Sequence, residues 1–553
     1  MKTFVAPVAE KRCFSFMAAQ RCAYGDATSL DVERRARARD LFGSKGAGLA
    51  EMSARGVNVP TGFIVDTSVC RTFHLNNHAV PAGFVEELLA EVSAVEKSTG
   101  RRFGEAANPL LLAVRSGARV TMPGMLGTVL NVGLNDITVV GLAAKLGERF
   151  ALDSYRRFIQ MYGTVVLGIE KEAFDSILEQ NKSRVKAQSD ADLDVATLRV
   201  IVQAYKACVR GKTGTSFPQD VRTQLLGAVE AVFLSWNNRR AVAYRRRYGI
   251  DNQSGTAVTI QAMVFGNLNS RSGTGVCFTR DPNTGEKKFF GEFMLQAQGE
   301  DLVAGVRTPV PIAQLEIVMP EVFAELREKA ARLEALYLDV QEIEFTFEDG
   351  MLYILQTRTG KRTNAAAVRI AVDLVEEGLI SRERALARVK PEQLEQPLVP
   401  RFSKQEIAAA KAAGKLLFTG LEAAPGAAVG RIIFDPKEAE SLGAAGEEVI
   451  LIRIDADPED ICGLIAAKAI VTARGGMTSH AAVVAREMGK PCVTGCEAIR
   501  IDMAQEIIEV DGVILRKYDV ISVSGTTGEI FAGALQSIQV ELEPHVATFV
   551  SWR

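Results

Sequence analysis

Histidine is scarce in this chain, with only four copies among 553 residues, at positions 74, 78, 480 and 545. A reaction that needs a nucleophilic or metal-binding imidazole therefore has few places to occur. Long apolar runs are missing as well. No stretch approaches the ~18 residues needed to cross a bilayer, and the N-terminal run MKTFVAPVAEKRCFSF is broken by Glu10, Lys11 and Arg12 without a cleavage pattern. This predicts a cytoplasmic protein with no membrane partner. Neither charge sign is in excess: 65 Lys plus Arg stand against 67 Asp plus Glu, a net charge of -2. No broad positive field is available to gather nucleic acid, so any phosphate must be held locally. The eight cysteines are scattered, and the one close pair, Cys492 and Cys496, has no histidine at ligand spacing. That argues against a zinc site and fits reduced thiols.

What is present is enough apolar material, 47% of residues, to bury several cores, which by length suggests roughly three or four domain-sized units. From about 41 to 70 the text reads as a Gly-rich turn, a helix and a strand. From about 136 to 247 apolar positions recur at three- and four-residue intervals, which predicts a helical insertion. Between 257 and 356 short alternating segments predict antiparallel sheet, beginning with AVTIQAMVF. Residues 363 to 416 are charged and helical, cut by prolines at 391, 397 and 400. From Phe418 to about Ala532, short apolar strands enclose a helix that follows His480.

The context of His480 separates it from the other three. In TARGGMTSHAAVVAREMGKPCVTG a strand leads to a Gly-Gly turn, and AAVVAREM supplies a helix that Gly489 ends. The imidazole is thereby placed at a helix start, where unpaired backbone N–H groups and the positive end of the dipole favour a phosphoryl group. Thr478 and Ser479 offer hydroxyls, Arg474 a guanidinium, and Gly475 with Gly476 allow close backbone approach. His74 and His78 lack an adjacent carboxylate base and read as surface or core residues.

The string GGMTSHAAVVAREMGKPCV resembles the phosphohistidine signature of the phosphoenolpyruvate-utilising family that includes pyruvate phosphate dikinase and phosphoenolpyruvate synthase. Upstream, LFGSKGAGLAEMSARGVNVPTGFIV resembles the opening of that family's ATP-grasp domain, and LLLAVRSGARVTMPGMLGTVLNVGLND resembles its dikinase branch in particular. The resemblance implies an α/β multidomain fold: an ATP-grasp nucleotide-binding domain over 1–362, with a helical insertion at about 136–250, then a helical linker over 363–416. A swivelling phosphohistidine domain over 417–535 and a tail over 536–553 complete it. It assigns nucleotide phosphates to Lys45 and Arg115 and secondary nucleotide contacts to Glu292 and Arg307; Thr121, Met122, Pro123, Gly124 and Met125 form a loop rich in small and flexible residues, consistent with a lid.

In QEIEFTFEDGMLYILQTRTGKRT, Glu342 and Glu344 lie two apart on a strand and so share a face, where they can share divalent cations. Gln356 and Arg358 repeat that spacing on the next strand. The resemblance assigns this hairpin to Mg²⁺ and phosphates, with Glu344 and Gln356 as the metal ligands. The implied activity is a dikinase-type phosphotransfer: ATP and Mg²⁺ load His480, AMP leaves, and inorganic phosphate or water removes one phosphoryl group. Too few residues follow Ala532 for the family's acceptor-binding barrel, which predicts an acceptor on a separate subunit or protein. Pyruvate and a small alcohol or phenol both remain open as that acceptor. A reading of another class, a non-catalytic regulatory phosphoacceptor, is weighed down by the presence of Lys45, Arg115, Glu344, Gln356 and His480 together.

Overall fold

The computed structural model describes residues 11–24, 32–122, 125–187, 189–303, 308–395, 400–456, 460–538 and 544–552. They fall into two compact units, Met1–Val264 and Phe265–Arg553. The first unit is built on five antiparallel strands: β1 (Cys13–Ser15), β2 (Gly62–Val65), β3 (Leu112–Ala118), β4 (Thr128–Val132) and β5 (Thr256–Ala262), in the order β1-β2-β5-β3-β4. The sequence reading places β5 at the head of the later antiparallel run. Instead it is the central strand of this first sheet, with every residue buried. A continuous apolar and β-branched run suits burial on both faces, and periodicity alone does not say which sheet it joins.

Six α-helices, from Thr138–Leu146 to Arg239–Tyr248, occupy the segment expected to be helical. Two of them begin at aspartate caps, Asp194 accepting from Thr197 N at 2.7 Å and Asp220 from Thr223 N at 3.0 Å, which satisfies orphan donors of the first turn. The stretch around Lys45 differs from expectation. Val32–Ala54 is helical throughout except at Gly43, where φ is 66° and ψ 168°. The predicted Gly-rich turn is thus a single-residue break, and the chain before it is helical too. A Cβ at Gly43 would lie 1.7 Å from the carbonyl oxygen of Gly117 in β3, so only a residue without a side chain lets these backbones meet.

The second unit opens with another antiparallel sheet, order β10-β9-β6-β7-β8, made of β6 (Gly273–Phe278), β7 (Phe290–Leu295), β8 (Val310–Pro311), β9 (Gln341–Glu348) and β10 (Met351–Thr359). Helices Asn364–Glu376, Arg382–Arg388, Pro391–Glu395 and Lys404–Ala412 follow. An eight-stranded mixed sheet comes next, whose parallel centre is Ala427–Ile433, Val449–Arg453, Ala469–Thr472 and Cys492–Thr494. The helix His480–Met488 lays Ala481, Ala482, Val484 and Ala485 against Ile433, Leu451 and Ile470 of that sheet, which accounts for its run of small apolar residues.

The C-terminal helix Pro544–Val550 returns to pack on Asn364–Glu376. There Phe549 is fully buried in one cluster with Val368, Ile370, Val372 and Leu374, and the His545 ring lies 3.7 Å from Asp373. Phe549→Ala removes packing of about 3–5 kcal/mol and is expected to release this helix. Amide exchange over 364–376 should then accelerate in the variant; unchanged protection would contradict the packing account.

Candidate active site

Strand Ala469–Thr472 delivers the chain to the loop ahead of His480, and Ser479 caps the helix that His480 begins, its hydroxyl accepting from Ala482 N at 3.4 Å. Gly489 ends that helix in the left-handed conformation. Gly475 and Gly476 are buried, Thr478 and His480 half-buried, and Arg474 exposed. The Arg474 carbonyl accepts from Thr472 Oγ1 at 2.7 Å, leaving its guanidinium at the surface. A Cβ at Gly476 would lie 2.2 Å from Glu292 Oε1; no other residue type admits that approach.

Glu292 belongs to β7, and its carboxylate is bound entirely to this loop. It accepts from Met477 N and Thr478 N, each at 2.8 Å, and from the Thr478 hydroxyl. Glu292 is 1% exposed, and burial raises its carboxyl above the ordinary range against the opposing pull of these three hydrogen bonds. The sequence reading assigned Glu292 to nucleotide and Thr478 to phosphate. In the structure each is the other's partner.

The register of the sheet collects the other predicted residues around Glu292. Glu292 pairs with Val276, Val276 with Glu344, and Glu344 with Gln356; in the adjoining row Phe290 pairs with Phe278, Phe278 with Glu342, and Glu342 with Arg358. Paired residues project to the same face and alternate along each strand, so Glu292, Glu342, Glu344, Gln356 and Arg358 line one surface. A β-bulge between Ile354 and Gln356 makes this possible. Without the extra residue, Leu355 rather than Gln356 would stand opposite Glu344.

Arg358 donates to Glu342 Oε1, and this pairing with carboxylates outweighs burial in holding the Arg358 charge. The other carboxylate oxygen of Glu342 is buried with no hydrogen-bond partner among the described residues. That orphaned oxygen, with Glu344 directly opposite Gln356, is an all-oxygen donor set that fits Mg²⁺. Among the described residues no group of three or more His, Cys, Asp or Glu could hold a metal alone. Magnesium commonly takes one or two carboxylates and completes its shell with substrate phosphates.

The helix that starts at His480 lies over this surface. Arg486 stands over the Phe278 ring at 5.6 Å, and Glu487 pairs with Lys361 at 2.6 Å. Arg486 is 1% exposed, and burial lowers its pKa while the carboxylates of Glu342 and Glu292 oppose that shift. Arg486 is not among the residues that the sequence assigns to the site. The signal was there: one charged residue inside an otherwise small, apolar helix face.

In the first unit, Ser44 Oγ donates to Ala118 O at 3.0 Å at the start of the helical segment that carries Lys45. A methyl group at Gly46 would lie 3.0 Å from Ile64 Cδ1, Ile64 pairs with Thr259, and Thr259 pairs with Arg115. Arg115 and the Lys45 helix therefore share one face of the first sheet. Met122 and Met125 are buried. Pro123, Gly124 and Arg307 lie outside the described residues.

Two family models match this chain. Residues 75–316 match the family model described as pyruvate phosphate dikinase, AMP/ATP-binding domain, and residues 445–528 match that of the PEP-utilising enzyme, mobile domain. The fold is α/β, with an N-terminal part that matches the AMP/ATP-binding model and a C-terminal part that matches the mobile-domain model. The pyruvate, phosphate dikinase of Rhizobium meliloti (strain 1021) is 47% identical over 534 residues, 94% of this chain and 59% of the relative. The chloroplastic pyruvate, phosphate dikinase 1 of Arabidopsis thaliana is 46% identical over 99% of this chain and 55% of its own length. The Clostridium symbiosum pyruvate, phosphate dikinase is 45% identical over 94% and 59%. The chain is similar to these pyruvate phosphate dikinases over nearly all of its own length, and it spans between half and two thirds of the length of these curated relatives. Among the described residues no helix is long and apolar enough to cross a membrane.

The raised Glu292 carboxyl has a pH consequence. Because protonation is favoured in the folded state, its contribution to holding the loop is full below the ordinary glutamate value of about 4.3 and is lost as pH rises through the higher folded value. Amide protection at Met477 and Thr478, corrected for intrinsic exchange, should fall across that interval. Glu292→Gln should flatten the dependence; the same slope in the variant would assign it to another group.

Proposed function

We propose that this chain transfers a phosphoryl group from ATP to His480 and holds it there for a further acceptor. The observation that carries the reading is the seating of the loop at 476–480 on the strand face bearing Glu292, Glu342, Glu344, Gln356 and Arg358. An imidazole nitrogen of His480 attacks the β-phosphorus, the bond to the AMP oxygen breaks, and AMP leaves. The terminal phosphoryl group then passes to inorganic phosphate or water, and one phosphoryl group stays on the ring.

Lys45 and Arg115 serve this step by holding phosphate oxygens, Arg115 through a planar guanidinium suited to two of them at once. Glu344, Gln356 and the orphaned oxygen of Glu342 would hold Mg²⁺. The metal, when bound, neutralises charge on the polyphosphate. Ser479 and the first-turn N–H groups of the His480 helix stabilise the phosphorylated ring, with Arg474 available from the surface and Thr478 committed to Glu292. The nucleotide-binding part is taken as 1–362, the linker as 363–416 and the phosphohistidine domain as 417–535.

The names of the relatives support phosphate as co-acceptor and pyruvate as final acceptor. The acceptor site is placed on a separate subunit, or in the part of the relatives outside the shared length. Eight free cysteines support a cytosolic location.

Incubation with Mg²⁺ and ATP labelled at the β position should give acid-labile label on the protein together with AMP. His480→Ala should abolish both. Label retained by that variant would overturn the assignment.

A further inference from the structure

We infer that Arg486 is a positioning residue for His480: its guanidinium fixes the Met477–Thr478 peptide of the loop that leads into the reactive imidazole. The inference rests on the role proposed for His480. Arg486 follows His480 by six residues, a little under two turns of helix, and helical side chains lean toward the N-terminus. It therefore reaches back along the loop. Its Nη2 donates to the carbonyl of Met477 and its Nε to the carbonyl of Ala423 at 3.1 Å.

The Met477 residue is consequently held at both ends, its N–H by Glu292 and its carbonyl by Arg486. Only Thr478 and Ser479 separate that clamp from His480. Thr478 is fixed by Glu292, and Ser479 is committed to the helix cap. Removing the guanidinium frees the Met477 carbonyl in the segment that leads into the helix, without touching the ring itself.

The bonding of Arg486 argues against a role confined to stability. A guanidinium kept only to staple a core would have its donors paired, and replacing buried charge with apolar volume is often harmless to stability. Here Nη1 is buried with no hydrogen-bond partner among the described residues. The two bonds that are made both go to backbone carbonyls, one on strand Leu421–Ala424 and one in the His480 loop. A lysine cannot reproduce that forked geometry.

The test compares single-turnover labelling by β-labelled Mg·ATP in the wild-type chain, Arg486→Lys, Arg486→Ala, and Arg486→Ala with added methylguanidinium. Amide exchange over 476–480 is measured in each protein without nucleotide. Labelling should slow by about 100-fold in both variants, half-saturating ATP should change by less than about twofold, and methylguanidinium should restore about tenfold in Arg486→Ala. Exchange should accelerate at 477–479 and stay unchanged across the strands of the mobile domain. Wild-type labelling rates in Arg486→Lys would overturn the inference, as would domain-wide exchange with no rescue by methylguanidinium. If the wild-type chain takes no label, the proposed function fails; exchange confined to 477–479 in the variants would still support the clamp, and its absence would reject it.

Discussion

One buried carboxylate organises the second unit. Glu292 leaves the antiparallel sheet to accept two backbone N–H groups and a hydroxyl from the segment before His480. Such a group costs free energy to bury unless its oxygens are satisfied, and here the satisfaction comes wholly from the loop. The contact couples two surfaces of different chemistry, a strand face rich in carboxylates and a helix start suited to an anion. Gly476 is what permits it, since any side chain there would occupy the space of the Glu292 oxygens.

The strand face depends in turn on register. A single bulge in β10 moves Gln356 and Arg358 to the side of Glu344 and Glu342, and the pairing of β6 with both β7 and β9 brings Glu292 into the same row as Glu344. Five polar residues from three strands thereby converge, although 66 positions separate Glu292 from Arg358 in the chain. The electrostatic result is a patch in which carboxylates outnumber cations, offset by Arg358 from the sheet and Arg486 from the helix above it.

Much of this was legible in the sequence, and the limits have physical causes. The helix start at His480, its serine cap and its glycine stop follow from local rules that distant contacts do not override, and they appear where expected. The two-residue spacing of Glu342 and Glu344 gave their common face. The sheet to which β5 belongs was not legible, because a strand buried on both faces carries no mark of its neighbours. Nor was the partnership of Glu292 with Thr478, residues far apart in the chain whose meeting depends on two separate folds being apposed. The turn at Gly43 was read as longer than it is, since nothing local reveals that β3 approaches within one residue's width.

The account stands on the His480 helix lying over the carboxylate strand face, and the ion pair of Lys361 with Glu487 at 2.6 Å reports on it directly. Zero-length carbodiimide coupling of the native protein, followed by peptide mass spectrometry, measures that proximity without altering a residue. An amide bond joining Lys361 to Glu487 is the predicted product, alongside one joining Lys411 to Glu529 as an internal control. Recovery of the control without the Lys361 to Glu487 product would contradict the placement of the helix, and with it the site described above.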